Sequence, residues 1–223
     1  MKINDISLNI YSFGYAAGFF GQSRINCEII SLDYLIQKSK ELGLGGIEFP
    51  FDRYFDIEHL SEGNDLLVEL IHSKVKFFID IENININYLN KLIPMLSLLG
   101  VKSLRVKMNQ IDQTIYGGNR YLVDNFNQSI ECFVDELKQL VPLMKDHEFT
   151  IAIENHQDLN SLELLRIIES INLDYIAINW DIGNSISCLD TPDSFYKNTK
   201  DFIKNVHLKD YLIYKSLDGI RLV

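Results

Sequence analysis

The sequence predicts an α/β fold built of repeated βα units on a parallel sheet. Three observations carry that expectation. Short apolar runs rich in Val, Ile and Phe recur along the chain, longer segments of helical period alternate with them, and no Pro/Gly/Ser linker, fixed repeat or low-complexity tract divides the pattern. With 223 residues, 47% of them hydrophobic, the chain can bury one sizeable core, so a single domain over residues 1–223 is expected. The alternation fits a closed barrel and an open sheet equally.

Seven strands are expected, in order ISLNIY (6–11), GGIEFP (45–50), VKFFID (75–80), KSLRVK (102–107), FTIAIE (149–154), YIAINWD (175–181) and NVHLKD (205–210). Helices are expected between them at 31–43, 58–73, 85–99, 120–147, 160–171 and 192–203, where apolar residues fall near i, i+3, i+4 and i+7. Cap chemistry marks several ends. Ser31, Asn160 or Ser161, and Thr191 followed by Pro192 stand at helix starts, and Gly43 and Gly100 stand where helices stop. The pattern ends at Val223, soon after the seventh strand, whereas a closed eight-unit barrel usually takes about 250 residues. On that count it is one or two elements short.

The 21 basic and 31 acidic residues give a formal net charge of -10, which disfavours a nucleic-acid partner. Cys27, Cys132 and Cys188 are far apart and form neither a disulfide framework nor a thiolate metal site. Charged and polar residues interrupt the N-terminal MKINDISLNIYSFGY, and no apolar run approaches 18 residues, so a soluble cytoplasmic protein with no membrane segment is expected.

Residues at the carboxyl ends of parallel barrel strands converge on one face. Glu154 ends TIAIE, Asp181 ends IAINWD and His207 lies in NVHLKD, at separations of 27 and 26 residues, close to one βα unit each. Two carboxylates and an imidazole suit a divalent cation, Mn, Mg or Co, with Zn also compatible, and leave open positions for a chelating substrate. The alternative is that the two acids cap helices or pair with lysines and that His207 is a satisfied core histidine.

Taken in order, IAIENHQDLNSLELL, INWDIGNS and NVHLKDY resemble the xylose isomerase-like sugar phosphate isomerase/epimerase superfamily, and GGIEFP resembles that family's second strand. The resemblance covers most of the chain and implies a TIM barrel of the (β/α)8 type, here incomplete at its C-terminal end, with metal ligands at Glu154, Asp181 and His207. It implies isomerisation or epimerisation of a sugar or sugar phosphate by proton transfer through a metal-stabilised enediolate, with Glu154 serving as ligand and acid/base. The family's fourth ligand, a Glu on the last strand, has no counterpart before Val223. A catalytically incomplete homologue with a binding or structural role is therefore an alternative. Epimerase relatives carry a histidine three residues after the Asp, where this chain has Asn184. The DxGN form, ENHQD, and HLKDY followed by GIRLV resemble members that cleave or decarboxylate oxidised sugar acids.

Other candidates lie near strand ends. His156 is placed to contact substrate or a ligand carboxylate. Lys209 shares a side of its strand with His207 and could neutralise a carboxylate or an enediolate. Glu48, Arg105 and Lys107 are placed to meet substrate hydroxyls or an acid group, with internal ion pairing as the alternative. His59, His72 and His147 fall on or beside helices and receive no role. Gly14, Gly18 and Gly21 sit in an aromatic first loop that could wall a pocket. The expected ligand is a small sugar or sugar acid, and an apolar edge beside strand seven would favour a homo-oligomer.

Overall fold

Strands and helices alternate in the order the sequence pattern predicts. The computed structural model describes residues 3–13, 30–58, 65–81, 84–108, 125–171, 174–209, 213–216 and 219–222. One sheet contains β1 (Ser7–Asn9), β2 (Gly46–Pro50), β3 (Lys76–Asp80), β4 (Ser103–Val106), β5 (Thr150–Glu154), β6 (Ile176–Asp181) and β7 (Ile203–His207), in that spatial order. The α-helices are α1 (Leu32–Glu41), α2 (Phe51–Tyr54), α3 (Asp65–His72), α4 (Ile86–Leu98), α5 (Phe126–Asp146), α6 (Ser161–Ile171) and α7 (Pro192–Thr199). Sequential order with intervening helices is what repeated βα crossovers produce. The chain divides into two compact units, one of Met1–Glu82 with Asn87–Leu104, the other of Asn83–Ile86 with Arg105–Val223.

In the first unit β1, β2 and β3 pair in parallel, with Gly46 between Ser7 and Lys76. A Cβ at Gly46 would lie 2.6 Å from Ser7 Oγ and 2.7 Å from the Lys76 carbonyl oxygen, so glycine lets both neighbours reach pairing distance. Ser31 caps α1 by accepting from the Tyr34 N–H, and Leu32, Leu35 and Ile36 form its buried stripe. Gly43 and Gly100 adopt φ of 68° and 79°, as helix-terminating glycines do. β1 is shorter than expected. The Asn9 side chain accepts from the Tyr11 N–H at 2.8 Å and the chain turns into a 3-10 segment, Ile10–Phe13. α2, only four residues long, has no periodicity to read. His59, Cys27, the loop of Gly14, Gly18 and Gly21, and residues 120–124 lie outside the described residues.

In the second unit β5, β6 and β7 pair in parallel. β5 and β6 are buried on both faces, over Ile151, Ala152 and Ile153 and over Ile176, Ala177 and Ile178, as the central strands of a parallel sheet must be. α6 opens with a capping box: Asn160 Oδ1 accepts from Leu162 and Glu163 N–H at 3.0 Å each, and Glu163 Oε2 accepts from the Asn160 N–H at 2.9 Å. Thr191 caps α7 through the Ser194 N–H, with Pro192 in its first turn. Two expectations are corrected here. β7 runs from Ile203 to His207 where NVHLKD was expected: it begins two residues earlier, Lys204 hiding the apolar signal although Ile203 already pairs with Ile178, and it ends at His207, so Leu208 and Lys209 lie beyond the strand. Beyond it β8 (Ile213–Ser216) and β9 (Gly219–Leu222) form a separate antiparallel hairpin that the βα pattern did not foresee.

Candidate metal centre

Glu154, Asp181 and His207 are the last residues of β5, β6 and β7. Parallel pairing alone does not align them. Ile178 pairs with Ile203 and Asn179 with Asn205, so Lys204 is skipped, and this bulge sets His207 directly beside Asp181. Glu154 pairs with Asn179, whose side chain shares a face with Asp181 by period two. The ligand-type atoms of Glu154, Asp181 and His207 all lie within 4.8 Å of one another. Glu154 and Asp181 are 1% and 5% exposed, and burial of two acids this close demands cationic compensation.

Arg105, buried on β4, forms an ion pair with Glu154 Oε2. Lys209 Nζ lies 2.8 Å from Asp181 Oδ2 and donates to Asn184 Oδ1 at 2.6 Å. Asn184 Nδ2 reaches Glu154 Oε1 at 3.5 Å, and His207 Nδ1 stands 3.7 Å from the same oxygen. Asn179 Nδ2 lies 3.3 Å from His207 Nδ1, and Asn205 donates to Asn179 Oδ1 at 2.6 Å. Burial raises the Glu154 carboxyl, but Arg105, His207 and His156 outweigh it and hold the group well below the usual carboxylate range. Burial, with Glu154 nearby, raises Asp181 against the opposing pull of Lys209. Burial pushes His156 down to about 4, aided by Lys107, Arg105 and Lys209 and opposed by Glu154.

The Asp181 peptide is clamped from the neighbouring strand. Asn155 Oδ1 accepts from the Asp181 N–H at 2.8 Å, and Asn155 Nδ2 donates to the Asp181 carbonyl at 3.0 Å and to Ser185 Oγ at 3.4 Å. This occurs where β6 gives way to a 3-10 segment, Ile182–Cys188, so a side chain replaces the ladder bonds the strand has stopped making.

Of the residues singled out in the sequence, Glu154, Asp181, His207, Arg105 and Lys209 meet through side-chain contacts, and His156 and Lys107 join them electrostatically. Glu48 is buried in the first unit, between Asn9 and Phe78 in the sheet register. Asn155, Asn179, Asn184 and Ser185 were not foreseen. Asn179 was legible from its two-residue spacing to Asp181, whereas the others act through contacts that only the fold creates.

The donor set fits a divalent cation. Asp181 Oδ1 is buried and makes no hydrogen bond among the described residues, leaving an acceptor that a cation would satisfy. Glu154 Oε2 likewise has no hydrogen bond, its contact being the ion pair with Arg105.

Fold and site together define an α/β protein of the barrel type, with a carboxylate and imidazole cluster at the carboxyl ends of its late strands. Residues 36–219 match the xylose isomerase-like TIM barrel family, and the chain belongs to that family. The uncharacterized protein YihM of Escherichia coli strain K12 is 26% identical over 96 residues, which are 43% of this chain and 29% of that protein. The match thus spans less than a third of that relative. The crystal structure of the probable 3-DHS dehydratase AsbF of Bacillus anthracis is similar with a TM-score of 0.66 at 15% identity, covering 95% of this chain and 74% of that one. A sugar phosphate isomerase/epimerase of Parabacteroides distasonis ATCC 8503 gives 0.61 at 11%, covering 92% and 74%. At these identities the likeness is one of fold. No helix among the described residues is long and apolar enough to cross a membrane.

Proposed function

We propose that the chain is a metal-dependent sugar isomerase or epimerase that moves a proton on the carbon beside a carbonyl. The observation that carries this reading is the convergence of Glu154, Asp181 and His207 within 4.8 Å at the ends of three successive strands, with a buried Asp181 oxygen left to be satisfied. A divalent cation (Mn, Mg or Co, or Zn) held by these three residues would polarise the carbonyl and stabilise the negative charge that deprotonation leaves. Glu154 stays ionised at neutral pH and is the base placed to take the proton. Lys209 sets an ammonium where an enediolate would develop charge, while Asn184 holds that ammonium in place. His156, kept neutral, offers a hydrogen bond to substrate hydroxyls without repelling a cation. The names of the two structural neighbours, a sugar phosphate isomerase/epimerase and a dehydratase, agree with carbonyl chemistry on polyhydroxy compounds.

A second reading has its own observation. Arg105 and Lys209 already neutralise Glu154 and Asp181, so the cluster is charge-compensated without a metal, as a non-catalytic binding homologue would require. Calorimetric titration with Mn and Mg separates the two. Micromolar or tighter binding that falls at least tenfold in both Glu154→Ala and His207→Ala supports the metal site. Exchange of the substrate α-proton for solvent deuterium in a ketose screen would then establish the chemistry. A folded parent that binds neither metal rejects the proposal and leaves the binding homologue.

A further inference from the structure

Glu154, Asp181 and His207 converge only if the backbones that carry them are fixed to one another, and the sheet does part of this. β6 and β7 are still paired where the ligands stand, with Asp181 opposite His207. On the other side the pairing of β5 with β6 ends at Glu154 and Asn179, two residues short of Asp181. A carboxylate on a backbone that has left its ladder needs another tie to keep its place.

Asn155 supplies the tie. Its amide accepts from the Asp181 N–H at 2.8 Å and donates to the Asp181 carbonyl at 3.0 Å. One partner only donates and the other only accepts, so they set which way round the amide lies. The two groups belong to the peptides on either side of the Asp181 Cα. Holding both fixes the φ of -87° and ψ of 105° found there, and with them the direction in which Cβ leaves the chain. Asn155 is fully buried, and it is bonded covalently to Glu154. The two carboxylates are thus referred to a single residue, one through the chain and the other through the amide.

Other polar side chains of similar size fail at this position. Aspartate would set a carboxylate against the Asp181 carbonyl and add a third buried acid to two that already lie close. Serine has a single polar atom on its stem, and glutamine is one methylene too long for the same reach. Resting on the metal reading above, we propose that Asn155 is a positioning residue of the cation site. By fixing the Asp181 backbone against that of Glu154 it sets the spacing of the two carboxylates, and so the affinity and coordination geometry of the ion. With both ends of its amide engaged on the Asp181 peptide, it acts through that residue and is not itself a ligand. Groups that orient metal ligands in this way are worth about 10- to 100-fold in metal affinity.

The test compares the parent with Asn155→Ala and Ser185→Ala. Mn affinity is read by calorimetry, and geometry by the visible spectrum of each protein saturated with Co, whose bands report coordination independently of how tightly the ion is held. Ser185 Oγ accepts from the same Asn155 amide at 3.4 Å and from Trp180 Nε1 at 3.3 Å, but makes no part of the clamp on the Asp181 peptide. It is the control for losing a buried hydrogen bond nearby. All proteins are measured well below their unfolding transitions, because lost stability alone does not distinguish the roles. Asn155→Ala is expected to weaken Mn binding by about tenfold or more and to alter the saturated Co spectrum, while Ser185→Ala stays within about threefold of the parent and keeps its spectrum. Asn155→Ser, whose one hydroxyl cannot engage both peptide groups, replaces the alanine variant if that one does not fold. Undiminished Mn binding in the Asn155 variant, a parent-like Co spectrum at saturation, or equal effects in Ser185→Ala overturns the positioning role and leaves the metal reading standing. A folded parent that binds neither ion overturns both.

Discussion

His156 shows at the scale of one residue why the site loses stability in acid. On folding its pKa falls from 6.5 to about 4, because burial and the three neighbouring cations outweigh Glu154. Between those values the unfolded chain binds a proton that the folded chain refuses. Stability is therefore whole above pH 6.5 and is lost as pH falls toward 4. Glu154, held below its ordinary 4.5, adds an acid loss of the same sign at lower pH. His156→Gln should lose less stability than the parent between pH 7 and pH 5, by on the order of 1–2 kcal/mol, measured by urea denaturation at both pH values. Equal losses in the two proteins would mean that the imidazole is not kept neutral by its surroundings. The ligand residues themselves were legible in the sequence because Glu154 and Asp181 end apolar runs, where acids are out of place unless they serve a site. The ion partners were less so: Arg105 ends up on Glu154 through a contact between strands β4 and β5 that no local pattern encodes.

At the scale of elements the junction of β5 and β6 is the informative one. β6 stops pairing at Asp181 and turns into a 3-10 segment, yet Asp181 has to be held still. Asn155, fully buried, does this by binding both the N–H and the carbonyl of the Asp181 peptide. Asn155→Ala would leave two buried backbone groups unpaired, at about 2–4 kcal/mol for the pair. That loss should appear in urea unfolding followed by fluorescence of Trp180, the single tryptophan, which stacks on Phe195 of α7 at 5.6 Å one residue from Asp181. A variant as stable as the parent would show that water or another group replaces the clamp. Long elements were readable from sequence because each carries several periods of its pattern, as α6 does with Leu164, Ile167 and Ile168 buried behind its capping box. Short or irregular ones were not. α2, the 3-10 segment after β6 and the strands β8 and β9 are each four to seven residues long, too short for a period to stand out.

The whole molecule turns the site into a stability measurement. All three ligand residues, and Trp180, belong to the second compact unit. Cation binding there has to stabilise whatever unfolds with them, by an amount set by mass action alone. With Mn at a hundred times its dissociation constant, the transition seen by Trp180 should rise by about 2.7 kcal/mol. Glu154→Ala should show no such gain, although it also deletes a buried charge and so changes the baseline by removing the carboxylate that Arg105 pairs with. The comparison that decides is therefore the gain on adding Mn, within each protein, and not the stability of one protein against the other. A gain in the parent that vanishes in both Glu154→Ala and His207→Ala ties the ion to the strand-end cluster. Equal gains in parent and variants would place any bound ion elsewhere among the 31 acidic residues of this chain.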